Sequence, residues 1–472
     1  MSPPEPSTPA LELAAALRRR ELSAVELLDA CLAAVDARND EVNAIVWRDD
    51  DAARASAHHA DEALARGDDR AFLGVPIPIK DLTPVAGWPV TYGSRGGPTG
   101  LSAEGELTTE ALKRAGFVLC GRTNTPEFGP LTVTENLRYG PSRNPWDPAR
   151  TPGGSSGGAA AAVASGMFPL AHATDGGGSI RIPAACCGLV GLKPSRGRVP
   201  RLAQSWLGGV VEGAVTHTVA DTAAVLDVLS GPDRSAWYNA PEPDRPFLEE
   251  AGREPAALRI GLMDHGPGGM PVEEPCLEAA RRAAAALEEQ GHEVVPADVA
   301  TLSEDIVAPF LVVINASLAD YHDVSDWEAV EPHVAASREQ AKAASSLEYA
   351  AAARTLERFS RDLVSAWGAD FDVLLTPTTA ILPPPVGYVL EQAHANPGQP
   401  VDAVLAMVAF TIFANITGLP AISLPVHWTD DGLPVGAQLV GSPFCEAQVI
   451  RLAHVLEQTL PWADRRPALA HA

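Results

Sequence analysis

Between Thr151 and Pro194 the chain concentrates its smallest residues. Gly153-Gly-Ser-Ser-Gly-Gly158 runs straight into Ala159-Ala-Ala-Ala-Val-Ala164, and Gly176-Gly-Gly178 follows. Glycine loses more conformational freedom on ordering than any other residue, so a stretch this glycine-rich either stays flexible or exists for close approach. A flexible linker is the simplest reading of the first run. Against it, the run is short and opens a helix of small residues that must pack closely on something. A nucleophile elbow fits Gly-x-Ser-x-Gly with either Ser155 or Ser156, but it needs a strand directly before it. Asn144-Pro-Trp-Asp-Pro-Ala-Arg-Thr-Pro152 cannot form one. A phosphate cradle needs Lys-Ser/Thr after the glycines and a strand leading in, and neither is present. What remains is a packed turn carrying two serines.

The second cluster, Ala173-Thr-Asp-Gly-Gly-Gly-Ser-Ile-Arg-Ile-Pro183, sets three glycines before Ser179. Backbone N–H groups can converge there without Cβ obstruction, as an oxyanion site requires, although an ordinary glycine turn reads the same way. A serine hydroxyl is a poor nucleophile without a nearby base. Lysine serves as one when burial disfavours its charged form, lowering its pKa by up to about 3–5 units. Only four of the 35 basic residues are lysines, and Lys80 ends the most apolar stretch of its neighbourhood, Gly74-Val-Pro-Ile-Pro-Ile-Lys80. The competing reading makes Lys80 an exposed strand end paired with Asp81. Ser156 reads as the cap of the following helix, and Asp175 and Arg181 as fixing loop geometry. Asp81 and Lys193 read as buried polar supports, and Trp88 and Tyr92 as aromatics that could line a pocket.

Helical patterns fill the segment 1–66, with a capping box at Ser23-Ala-Val-Glu26 and a third helix, Asp50 to Arg66, stopped by Gly67. Pro76 and Pro78 keep the Lys80 segment out of a central ladder. Helices are expected at 103–115, 219–230, 273–290, 302–325, 328–367 and 445–459. Strands are expected near 117–120, 258–263, 292–295, 371–375, 421–425 and 436–440. Residues 233–257 read as a surface connection and 383–400 as a loop. Strands interleaved with helices predict an α/β fold, one large domain with a central twisted mixed sheet covered by helices on both faces. The expected division is 1–66 as a helical segment packed on the core and 67–472 as the main domain.

Apolar residues at 46% and charged ones at 20% suit a globular chain with a substantial core. The formal charge of −25 repels phosphate backbones, so a nucleic-acid surface is not expected. No apolar run is long enough to span a membrane. Met1-Ser-Pro-Pro-Glu-Pro has neither basic start nor apolar stretch, so no secretory leader is expected. Six scattered cysteines read as reduced thiols, Cys186-Cys187 as two small core residues, and the chain as cytoplasmic.

Four segments together resemble the amidase signature family. They are Gly74-Val-Pro-Ile-Pro-Ile-Lys-Asp81, Gly153-Gly-Ser-Ser-Gly-Gly158, Thr174-Asp-Gly-Gly-Gly-Ser-Ile-Arg181 and Gly188-Leu-Val-Gly-Leu-Lys-Pro194, in the family's order and spacing. The signature core spans about 74–200, and further similarity reaches Gly432-Leu-Pro-Val-Gly436. The resemblance implies the amidase signature fold and a cofactor-free, metal-free Ser–cis-Ser–Lys triad. Ser179 would be the acyl nucleophile, Ser155 the bridging serine on a cis peptide bond, and Lys80 the neutral base. The N–H groups of Gly176, Gly177, Gly178 and Ser179 would hold the oxyanion. Ala173, Gly176 and Ser195 depart from the family's commonest pattern, and Gly176 implies a more flexible oxyanion strand or a roomier pocket. Pocket residues are expected within 125–137, 200–215, 305–325 and 375–410.

The implied activity is hydrolysis of small linear or cyclic amides, with carbamates (urethanes) and esters as further substrates. The family's frequent dimers make a homodimer compatible with the resemblance. Two alternatives stand beside it, the glutaminase subunit of a tRNA-dependent amidotransferase and a non-catalytic binding protein. Ser205-Trp-Leu-Gly-Gly-Val-Val-Glu-Gly213 stands where amidotransferase subunits carry Ser-Leu-Asp-Gln, and it resembles the nylon-oligomer (aminohexanoate cyclic dimer) hydrolases more closely.

Overall fold

The computed structural model describes residues 5–471; Met1–Pro4, where the leader reading begins, and Ala472 lie outside them. In chain order the strands are β1 Ile45–Trp47, β2 Pro76–Lys80, β3 Val118–Thr123, β4 Leu170–Asp175, β5 Val190–Lys193 and β6 Val211–Thr216. Then come β7 Arg259–Leu262, β8 Glu293–Pro296, β9 Val373–Pro377, β10 Ala421–Trp428 and β11 Pro434–Gly441. Eight of them build one mixed sheet in the order β4-β6-β5-β10-β11-β9-β7-β8, and β1-β3-β2 form a smaller one. Neighbours from β4 through to β9 are antiparallel, whereas β9-β7-β8 run parallel. The prolines of β2 fit its place at the edge of the small sheet, paired on one side with β3.

Successive strand residues face opposite sides of a sheet, and both faces of the large one are covered. Ile422, Leu424, Ala437 and Leu439 share a core with Ala279, Leu287, Val449 and Leu456 of helices Glu274–Glu289 and Glu446–Thr459. On the other face helix Arg181–Cys187 lies so close that a Cβ on Gly436 would come within 2.6 Å of Ala185 Cβ. The α/β reading with a mixed sheet therefore holds.

Several elements differ from expectation. The N-terminal segment is not wholly helical, because β1 leaves it to pair antiparallel with β3. The helix expected at 103–115 spans only Leu107–Arg114, opened by Glu106, whose carboxylate accepts the Leu107 N–H. The helix expected at 302–325 ends at Ala319, and the one at 328–367 is two, Pro332–Ala343 and Ser346–Val364. A capping box between Ser345 and Glu348 divides them, satisfying the first N–H groups of a new helix rather than continuing the old one. The expected loop 383–400 contains helix Tyr388–Ala395, and β4, β5, β6 and helices Asp402–Val408 and Ile412–Thr417 have no counterpart in the expected set.

Candidate active site

The small sheet meets the large one where β2 passes β4, with Lys80 N 3.4 Å from His172 Nδ1. This brings the ends of both strands against the Gly-Ser turn. That turn is glycine-rich because it has no room. A Cβ on Gly158 would collide with the Asn124 backbone nitrogen, and one on Gly154 would stand 2.5 Å from Val133 O. Helix Gly157–Ala164 is buried along its whole length, and the Gly154–Ser155 peptide bond is cis.

Lys80 is fully buried, which removes the reading as an exposed strand end. Its Nζ lies 2.8 Å from Ser155 Oγ, 2.8 Å from Ser156 Oγ and 2.9 Å from Thr174 Oγ1. Burial pushes its pKa down to about 7, against the opposing pull of Glu212 and Asp175. Ser156 occupies the N-cap position of its helix but makes no capping bond. Its hydroxyl turns to Lys80 and donates to the Thr174 carbonyl at 3.1 Å instead, so the capping expectation is corrected. Glu212, on β6 beside β4, pairs with His172 Nε2 at 2.7 Å and with Arg201 Nε at 3.2 Å.

Asp175 and Arg181 form a fully buried ion pair, with Nε–Oδ2 at 2.9 Å, that Asn415 and Gln438 extend. The pair braces the glycine turn, because Asp175 also accepts the N–H of Gly178 at 2.8 Å and of Ile180 at 3.2 Å. Gly178 therefore leaves the set of expected oxyanion donors. The N–H groups of Gly176, Gly177 and Ser179 have no backbone or side-chain acceptor among the described residues. Asp81 accepts from the N–H groups of Thr91 and Gly93, and Lys193 donates to the Pro194 carbonyl at 2.7 Å, both buried supports.

Ser179 is partly exposed and borders two cavities. One, of about 170 Å³, is mainly apolar, with Ile182, Phe310, Ile314 and Val408 in its wall. The other, of about 330 Å³, holds Ser155, Thr174, Glu106, Arg201 and Glu212. Trp206 borders both. A Cβ on Gly176 would lie 2.6 Å from its indole ring, so the space freed by this glycine is already filled and the pocket is not roomier there. Tyr92 lines the polar cavity, its hydroxyl donating to Asp323 at 2.9 Å. Trp88 lines neither, packing against Trp47 with ring centroids 4.9 Å apart and planes tilted by 57°, under the Arg122 guanidinium.

The expected pocket ranges contain most of the wall; apart from Tyr92 and the glycine–serine clusters, Leu82–Pro84, Glu106, Ile182, Ile412 and the segment from His333 to Gln340 lie outside them. His333 sits with Glu331 and His394, the three ligand-type atoms within 4.8 Å of one another. Burial drives its pKa down to about 3, so the ring is neutral where it borders the apolar cavity. Among the described residues no helix is long and apolar enough to cross a membrane, and the six cysteines are unpaired.

The family model described as Amidase matches residues 26–450. The chain is 35% identical to a 6-aminohexanoate-cyclic-dimer hydrolase of Pseudomonas sp. (strain NK87), over 96% of this chain and 95% of that one. It is 36% identical to a glutamyl-tRNA(Gln) amidotransferase subunit of Chloroflexus aggregans, over 97% of both. A solved 6-aminohexanoate cyclic dimer hydrolase complexed with substrate superposes with a TM-score of 0.91 at 32% identity, covering 99% of this chain and all of that one. By its sequence and by its fold, the chain belongs to the amidase signature family of carbon–nitrogen hydrolases.

Proposed function

We propose that the chain acts alone as a serine amidohydrolase on small amides, through an acyl-enzyme on Ser179. The observation that carries this is Lys80, buried with no carboxylate of the described residues in contact, 2.8 Å from Ser155 Oγ. A neutral amine offers two hydrogens and one lone pair to its three hydroxyl neighbours. Ser156 spends its own hydrogen on the Thr174 carbonyl, so it can only accept from Lys80. With Thr174 taking the second hydrogen, the lone pair is left for Ser155.

Ser155 gives its proton to Lys80 and takes one from Ser179, whose oxygen attacks the carbonyl carbon. The resulting oxyanion lies against the free N–H groups of Gly176, Gly177 and Ser179. As the C–N bond breaks, the proton returns through Ser155 to the leaving nitrogen. Water then splits the acyl ester by the same relay, releasing the acid and restoring the Ser179 hydroxyl. Carbamates and esters present the same carbonyl to the same groups and belong to the substrate range.

Lys80→Ala and Ser179→Ala should each cut kcat by roughly 10⁴-fold or more with the fold intact; near wild-type rates in either would contradict the assignment. The amidotransferase reading draws on the 36% identity to one of that enzyme's subunits, beside 35% to the cyclic-dimer hydrolase. Ser179-dependent turnover by the purified chain on an anilide but not on glutamine would set it aside.

A further inference from the structure

We propose that the two cavities meeting at Ser179 sort the substrate: the acyl group enters the apolar cavity and the amine leaves through the polar, acidic one. This rests on the amidohydrolase reading above. The assignment follows from where the proton is delivered. An amide nitrogen departs only if it is protonated as its bond to carbon breaks. In the relay that proton comes from Ser155, backed by Lys80. Ser155 and Thr174, both bonded to Lys80 Nζ, border the polar cavity and not the apolar one. The nitrogen therefore faces the polar side, and the acyl substituent points from Ser179 into the other.

Size then defines the acyl group. A hydrophobic cavity of about 150 Å³ takes up benzene, so the apolar cavity of about 170 Å³ matches a benzoyl or hexanoyl group. A larger acyl group would extend beyond this volume and lose the close fit. Trp206 separates the two spaces, its ring filling the room above Gly176 and meeting Phe310 edge-on at 5.8 Å.

Charge defines the amine. Among the described residues three carboxylates, Glu106, Glu212 and Asp320, border the polar cavity against one guanidinium, that of Arg201. Arg201 is committed to Glu212 at 3.2 Å. Glu106 accepts the backbone N–H groups of Leu107 and Leu202, and Asp320 at the rim has His322 Nε2 at 3.2 Å. A cleft with this surplus of negative charge concentrates cations and repels anions. The favoured leaving group is a compact amine carrying a second, cationic nitrogen.

The test measures kcat/KM of the purified chain on two series. One varies the acyl group of 4-nitroanilides from acetyl through hexanoyl and benzoyl to decanoyl. The other varies the amine of benzamides among ethylenediamine, ethanolamine and glycine. The acyl series should peak at hexanoyl or benzoyl, about tenfold above both extremes, and the amine series should fall about tenfold from cation to anion. Ile314→Trp should lower the hexanoyl-to-acetyl ratio about tenfold and leave the cation-to-anion ratio as it was. Val404→Phe repeats the test should the first variant fold poorly. Glu106→Gln and Asp320→Asn should lower the cation-to-anion ratio alone. Crossed effects, or Ser179-dependent turnover in which neither ratio responds, would overturn the sorting while leaving the hydrolase standing. No Ser179-dependent turnover on any member of either series would overturn both.

Discussion

At the scale of single residues, the unusual feature of Lys80 is what does not touch it. Among the described residues the atoms within hydrogen-bond reach of its Nζ are hydroxyls, and the carboxylates of Glu212 and Asp175 act only from a distance. With a pKa pushed down to about 7, Lys80 loses its free lone pair as the pH falls. We expect kcat/KM to drop about tenfold per unit below that point, as one protonation requires. Glu212 favours the ammonium, so Glu212→Gln should move this acid limb to lower pH. An unmoved limb would mean that another group controls it. The same depression bears on stability. Between about 7 and the ordinary lysine range the unfolded chain holds a proton that the folded chain lacks, so this contribution to stability rises with pH across that window. The stability gap between Lys80→Met and the parent should accordingly narrow from pH 7 upward in urea titrations. The sequence pointed to Lys80 and Ser179 through a rare lysine and the glycine runs, and to Ser155 rather than Ser156 only through the family resemblance. Thr174, Ser156 and Arg201 were not legible there, since their contacts exist only once β2 passes β4 and the chain near 201 folds back over β6.

At the scale of elements, the Gly-Ser turn and the segment around Trp206 are shaped by close approach. Trp206 and Leu207 both hold positive φ, 54° and 55°, in a region that non-glycine residues seldom occupy. Gly176→Ala would force its Cβ into the indole, 2.6 Å away. We expect kcat/KM to fall about tenfold or more, and Trp206→Leu in the same chain to recover much of it. A double variant no better than the single would show that the loss arises in the oxyanion strand itself. Strands β3 and β7 to β11 were readable from apolar runs, and helix Glu274–Glu289 from its small apolar face. What failed were junctions. The break at Ser345 lies inside a continuous helical pattern, and only capping chemistry marks it. Strands β4 and β6 are half Gly, Ala and Thr and β5 is only four residues long, so alternation there carries little signal.

At the scale of the whole molecule, the N-terminal helices are part of one packed body. Asp221, buried and some two hundred residues away, accepts the N–H groups of Ala10 and Leu11 that open the first helix, both at 2.9 Å. Removing a buried cap costs about 1–2 kcal/mol, so Asp221→Ala should lower the thermal midpoint by a few degrees, an unchanged midpoint being the contrary result. The α/β class and the mixed sheet were foreseeable from the alternation of elements. Strand order was not, because it depends on contacts far apart in the chain. The central claim, an acyl-enzyme on Ser179 formed by the chain alone, is tested most directly by quenching turnover of a benzoyl ester and mapping the adduct by peptide mass spectrometry. A benzoyl group is expected on the peptide at Ser179 and absent from Ser179→Ala; turnover with the adduct on Ser155 or Ser156, or surviving in Ser179→Ala, would rule out Ser179 as the nucleophile.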